Sequence, residues 1–192
     1  MPAEGCERLR TVARLVEDHR LIERVCDAFT AYGDAVESDH RPDDRLQLRR
    51  FVAFLRGFAD GTHHRKEQDV LFPAMIAARL LPPDPDPERF LAEHDKVRKY
   101  ASVFDDFAAQ TRPWNSVDCG RLRRYALGYV ELLRQHFHDE ETVLYPLAEH
   151  HLEPGAKVAI DSSCEQIDPS DDGPLRLLGE DLIARRPSPL GA

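Results

Sequence analysis

The sequence lacks the marks of several large protein classes. No apolar run approaches the ~20 residues that a membrane-spanning helix needs. The segment from Met1 to Arg10 is polar where a secretory leader would be apolar. Cysteine is sparse: Cys6, Cys26, Cys119 and Cys164, with no C-x-x-C pair among them. These absences predict reduced, structural thiols, a cytoplasmic location and no engagement with a membrane. Positive charge is the minority sign, with 26 Lys and Arg against 35 Asp and Glu and a net charge of −9. That balance argues against nucleic acid as the main partner and suits a protein that holds cations. There is no Gly-rich phosphate loop, no G-x-S-x-G and no convincing Cys–His arrangement for nucleophilic catalysis.

What is present is helical. A chain of 192 residues, 42% hydrophobic and 32% charged, is long enough to bury a core as a soluble domain. Four segments carry apolar residues at helical spacing. The first runs from about Glu7 to Tyr32, with the stripe Val12, Val16, His19, Cys26, Phe29 and a stop expected at Gly33. The second covers about Asp43 to Leu80, with Leu48, Val52, Leu55, Ala59, His63, Glu67 and Val70 on one face. Pro82 to Pro87 breaks the chain, and the third begins near Pro87-Glu88, where proline suits a first turn, with Phe90, His94, Val97, Ala101, Phe104 and Ala108. The fourth follows capping side chains at Asn115-Ser116 and carries Leu122, Ala126, Tyr129, Leu133, His136, Glu140, Val143 and Leu147. The composition changes after His151. We therefore expect an all-α bundle over residues 1–152 and a region 153–192 with a short helix over Ala156 to Ile167. A further turn of helix is expected around Leu175 to Ala184, in a tail given no function.

One phrase occurs twice. His63-His64-Arg65-Lys66-Glu67-Gln68-Asp69-Val70-Leu71-Phe72-Pro73 returns as His136-Phe137-His138-Asp139-Glu140-Glu141-Thr142-Val143-Leu144-Tyr145-Pro146, an offset of 73 residues (136 − 63). His and Glu four residues apart share one helix face. His19 and His94 precede the two phrases by 44 and 42 residues (63 − 19, 136 − 94), so a helix–loop–helix unit is used twice, each with its own ligand set. His19, His63, Glu67, His94, His136 and Glu140 all fall where core residues belong. Buried ionisable groups are normally paired or bound to metal. Four imidazoles and two carboxylates exceed one tetrahedral zinc and suit two metals bridged by carboxylates, with iron favoured by the imidazole–carboxylate mixture. Pro73 and Pro146 should kink or end their helices.

With these residues the chain resembles the hemerythrin-like (HHE cation-binding) proteins, whose pattern is H…HxxxE…H…HxxxE, over roughly Leu9 to His151. The resemblance implies an up-down four-helix bundle with two iron ions in a non-haem, oxo- or hydroxo-bridged centre. It implies His94 and His136 on one iron, His19 and His63 on the other, and Glu67 and Glu140 between them. It implies a small-molecule partner (dioxygen, nitric oxide or peroxide) in a monomer or homodimer. The alternatives are a peroxide-decomposing enzyme and a protein of iron storage, donation or iron–sulfur cluster repair. Arg98 stands one turn after His94, where the oxygen carriers of the family have another histidine. An arginine cannot ligate metal, so a more open and more reactive site is expected.

Other residues read as bystanders. His64 directly follows His63, where some relatives have a ligand, and is the alternative that would make up for Arg98; because it lies about 100° around an α-helix from His63 it is left outside the ligand set. His138, His150 and His151 are read as solvated, and nothing is assigned to the loop residue His40. Glu17, Asp18, Glu93 and Asp95 flank His19 and His94 as polar-face residues rather than imidazole partners, and Tyr129 as a packing residue.

Overall fold

The computed structural model describes residues 9–39, 44–80, 87–167 and 173–186, and among these the secondary structure is entirely helical. Six helical runs follow one another: α1 (Arg10–Asp39), α2 (residues 45–77), α3 (Pro87–Ala109), α4 (residues 116–151), α5 (Pro154–Ile167) and α6 (Gly173–Ala184). None of the described helices is long and apolar enough to cross a membrane. The expected breaks at His40 to Pro42 and Pro82 to Asp86, and Cys6, lie outside the described residues.

The start of α4 is capped as its sequence suggests. The Asn115 side chain accepts from the Asp118 amide, and the Asp118 carboxylate accepts from the Asn115 amide. The expected stop at Gly33 is corrected, because α1 runs on to Asp39. Val36 is buried, and Arg123 of α4 pairs with Asp34 at 2.6 Å and Glu37 at 3.1 Å, so tertiary contacts hold the extra turns. A single glycine costs a helix only about 1 kcal/mol.

The two prolines do not end their helices. Each is preceded by a π-helical turn, Glu67–Leu71 before Pro73 and Glu140–Leu144 before Pro146, and an α-helical turn follows. The amides of Phe72 and Tyr145 reach back five residues to the carbonyls of Glu67 and Glu140. The wider turn lets the chain pass a residue with no amide hydrogen. A longer π stretch, Leu55–His64, lies upstream in α2.

Two apolar clusters make the core. One holds Ile22, Val25, Phe29, Phe51, Phe54, Val97, Phe104, Leu122, Tyr129 and Leu133 among others; the second holds Leu9, Leu15, Leu71, Phe72, Phe90, Leu144 and Tyr145. α1 and α3 enter through the second cluster and finish in the first, while α2 and α4 run from the first to the second. All four cross a polar layer between the clusters, and His and Glu from both phrases lie in it. α1 packs on α4, α2 on α3, and α3 on α4. α5 lies against α1 and α2, tied by Asp161, which accepts from the Thr11 amide and hydroxyl at 2.8 and 2.7 Å. α6 lies against α1 and α2, with Leu182 fully buried in the first cluster. Cys26, Cys119 and Cys164 are buried, and burial pushes the Cys26 thiol up to about 12.

Candidate metal centre

Each of the four long helices brings one turn of chemistry to the polar layer. α1 supplies His19, α2 supplies His63, His64 and Glu67, α3 supplies His94, and α4 supplies His136 and Glu140, none more than 1% exposed. Their donor atoms form two groups able to hold a metal ion, His19–His63–Glu67–Glu140 and His64–Glu67–His94–His136, each with its atoms within 4.8 Å of one another. Glu67 belongs to both. Its Oε1 is 3.6 Å from His63 Nε2 and its Oε2 is 3.5 Å from His94 Nε2. Glu140 spans in the same way, with Oε2 3.3 Å from His19 Nε2 and Oε1 3.1 Å from His136 Nε2. All six residues expected from the sequence are therefore brought together.

The donor set fits metal better than it fits itself. His19 and His63 face each other Nε2 to Nε2 at 3.0 Å, and His94 and His136 do the same at 3.0 Å. Two nitrogens at ~2.1 Å from one ion, at right angles, stand about 3 Å apart. Both nitrogens of His64, Oε2 of Glu67 and Oε1 of Glu140 are buried without a hydrogen bond. Orphans of this kind cost about 1–3 kcal/mol each, and a cation between them would satisfy the set.

His64, left outside the expected ligand set, lies inside the cluster. It is fully buried, its ring stacks on His94 at 4.0 Å between centroids, and it falls in the group with His94 and His136. It closes the π stretch Leu55–His64, whose winding separates successive residues by less than the α-helical angle, so two neighbours face inward. Burial first, then the neighbouring histidines, holds its pKa well below 6.5, leaving a neutral ring as a ligand must be. His64 of α2 thus joins His94 and His136 in a group that Arg98 does not enter. Arg98 instead binds Asp60 at 2.9 Å, and Asp60 Oδ1 is 3.7 Å from His64 Nδ1.

The same arrangement recurs behind other rings. His136 Nδ1 lies 2.9 Å from Glu93, which Arg89 holds at 2.9 Å. His19 Nδ1 lies 2.7 Å from Glu141. His63 Nδ1 lies 3.8 Å from Asp18, which Lys66 and Arg176 approach at 3.4 and 2.6 Å. Carboxylates in this position fix a ring's orientation and raise its basicity. Glu93 is thus a buried imidazole partner, against expectation; Asp18 is buried and within ion-pair range of His63 Nδ1 but beyond hydrogen-bond length, while Glu17 and Asp95 are exposed. Burial opposes charge on His19 and His136, but Glu140 with Glu141 or Glu93 outweighs it, and the pKa values rise to about 9 and about 10. Burial likewise opposes charge on Asp18, yet His63, Lys66 and Arg176 draw it down to about 2.

Tyr145, which the sequence reading passed over, points into the centre. Its hydroxyl donates to Glu67 and lies 3.3 Å from His19 Nε2 and 3.5 Å from Glu140. Burial, then Glu140 and Glu67, hold the phenol's pKa well above its usual range, so it keeps its proton. The aromatic before Pro in each phrase was the available signal: Phe72 is core, and Tyr145 is the same position with a hydroxyl added. Tyr129 packs among Phe29, Tyr100 and Phe104, as expected. His138, His150 and His151 are exposed, and His40 lies outside the described residues.

An all-helical protein whose long helices converge on a buried His/Glu cluster is, by fold and site, a cation-binding helical protein. The chain belongs to the hemerythrin family: the model of the hemerythrin HHE cation binding domain matches residues 10–148. Comparison with curated proteins and with solved structures finds no match.

Proposed function

We propose that this chain is an up-down four-helix bundle holding a non-haem di-iron centre, and that it binds or reacts with dioxygen, nitric oxide or peroxide. The observation that carries the reading is Glu67, one buried carboxylate shared by two groups of donors. The alternation of α1 to α4 through the two apolar clusters supports the bundle topology. His64, His94 and His136 would hold one ion and His19 with His63 the other, with Glu67 and Glu140 between them. Two irons would supply redox change and Lewis acidity at neighbouring positions. The two groups are unequal, three imidazoles against two, and the Tyr145 hydroxyl lies on the poorer side. Apolar clusters on either side of the polar layer favour a small ligand over a large one.

Tyr145 favours a second reading, turnover of peroxide. Conversion of two hydrogen peroxide molecules to dioxygen and two waters moves several protons. The Tyr145 hydroxyl, which donates to Glu67 and lies 3.5 Å from Glu140, is positioned to relay a proton between these carboxylates and a small molecule in the centre. Metal content per chain, with an optical spectrum of the same sample, tests the first reading. About two irons and oxo-bridge absorption in the near ultraviolet are expected, and one tightly held zinc would overturn it. Oxygen evolution on adding peroxide to the iron-loaded protein tests the second, and an inert sample removes it.

A further inference from the structure

We infer that α6, which lies beyond the matched family region, serves the metal centre: Arg176 is a positioning residue that acts through Asp18 on His63. The inference rests on the two-metal reading above. His63 presents Nε2 to the centre, 3.0 Å from His19 Nε2, and turns Nδ1 toward Asp18 Oδ2 at 3.8 Å. Asp18 is wholly buried, and a buried carboxylate stays charged only where cations and hydrogen bonds compensate it. Lys66 Nζ approaches Oδ2 at 3.4 Å, while Arg176 Nη2 donates to Oδ1 at 2.6 Å. With Oδ1 held by the guanidinium, Oδ2 faces the His63 ring.

The guanidinium is set by several independent contacts of its helix. It lies over the Phe58 ring, 4.9 Å from the centroid. Leu182 is buried in the first cluster, and Gly179 is so close to Phe54 that an added Cβ would stand 2.7 Å from the ring. Glu180 takes both arms of Arg24 at 2.9 and 3.0 Å, and Asp181 pairs with Arg50. Glu93 and Asp60, the carboxylates behind His136 and His64, take their guanidinium from Arg89 and Arg98, inside residues 10–148. Asp18 draws on a helix outside that region.

The test uses the full chain loaded with ferrous iron and measures iron release to a chelator. Loss of an outer partner of a ligand histidine typically weakens metal binding about 10–100-fold. Arg176→Gln is expected to speed release of one ion of the pair about ten-fold or more and leave the other at its wild-type rate. Arg176→Lys should recover most of the loss. Asp18→Asn should produce the same selective effect, and adding Arg176→Gln to it should change little further. Wild-type release in Arg176→Gln overturns the inference while leaving the two-metal reading intact. Equal acceleration of both ions overturns it as well, since that is general loosening. A wild-type chain that takes up no pair of ions overturns both.

Discussion

Glu67 and His64 decide what the centre can be. Replacing Glu67 by Ala removes the one carboxylate common to both donor groups. The variant is expected to lose two-metal loading, read as metal content per chain; a full pair in this variant would falsify the shared-ligand assignment. His64→Ala should cost the ion held with His94 and His136 and spare the other, seen as a drop from two ions to one. The protonation of His19 and His136 sets a pH dependence in the metal-free protein. Their folded pKa values, about 9 and about 10, stand above the unfolded value near 6.5. Their contribution is therefore fully present below pH ~6.5 and is lost as pH rises through the folded values. The urea midpoint of metal-free protein should fall between pH 7 and 10, and a midpoint rising over that range would refute the pairing with Glu140. Metal needs the neutral rings, so uptake at pH 7 should release protons into a weakly buffered solution.

The elements are where sequence and structure part. The four long helices were legible because apolar stripes mark one face of each, and the centre was legible because His and Glu interrupt those stripes at matching depth. His64 was not, because the 100° rule that placed it elsewhere belongs to the α-helix, and the π winding of Leu55–His64 has no local signature. Asp18 and Glu93 were read as solvated because their partners, Arg176 and the His136 ring, are distant in sequence. The run of α1 past Gly33 depends likewise on Arg123, 89 residues beyond its partner Asp34. Two element-level outcomes are expected. Asn115→Ala should cost about 1 kcal/mol through loss of the α4 cap. Gly179→Ala should cost about 1–3 kcal/mol, because the new methyl meets the Phe54 ring. Chemical denaturation measures both, and a neutral Gly179→Ala would show that α6 sits less closely on α2 than its contacts imply.

At the scale of the molecule, metal and fold are coupled. Ions that bind only the folded chain stabilise it by about 2.7 kcal/mol for each site held at a hundred times its dissociation constant. The thermal midpoint should rise with metal and fall on chelation. The coupling is limited by how the core is divided. Because the two apolar clusters lie on either side of the polar layer, each is closed by its own packing, and the helices run unbroken through both. Stripping the ions therefore leaves both ends locked and frees only the middle to breathe. In hydrogen exchange, amides near His63 to Glu67 should lose protection in the metal-free protein while those of Phe29 and Leu133 keep it. Such a molecule would be emptied and refilled without unfolding, so its metal content would follow the supply of the cation while the chain itself persists.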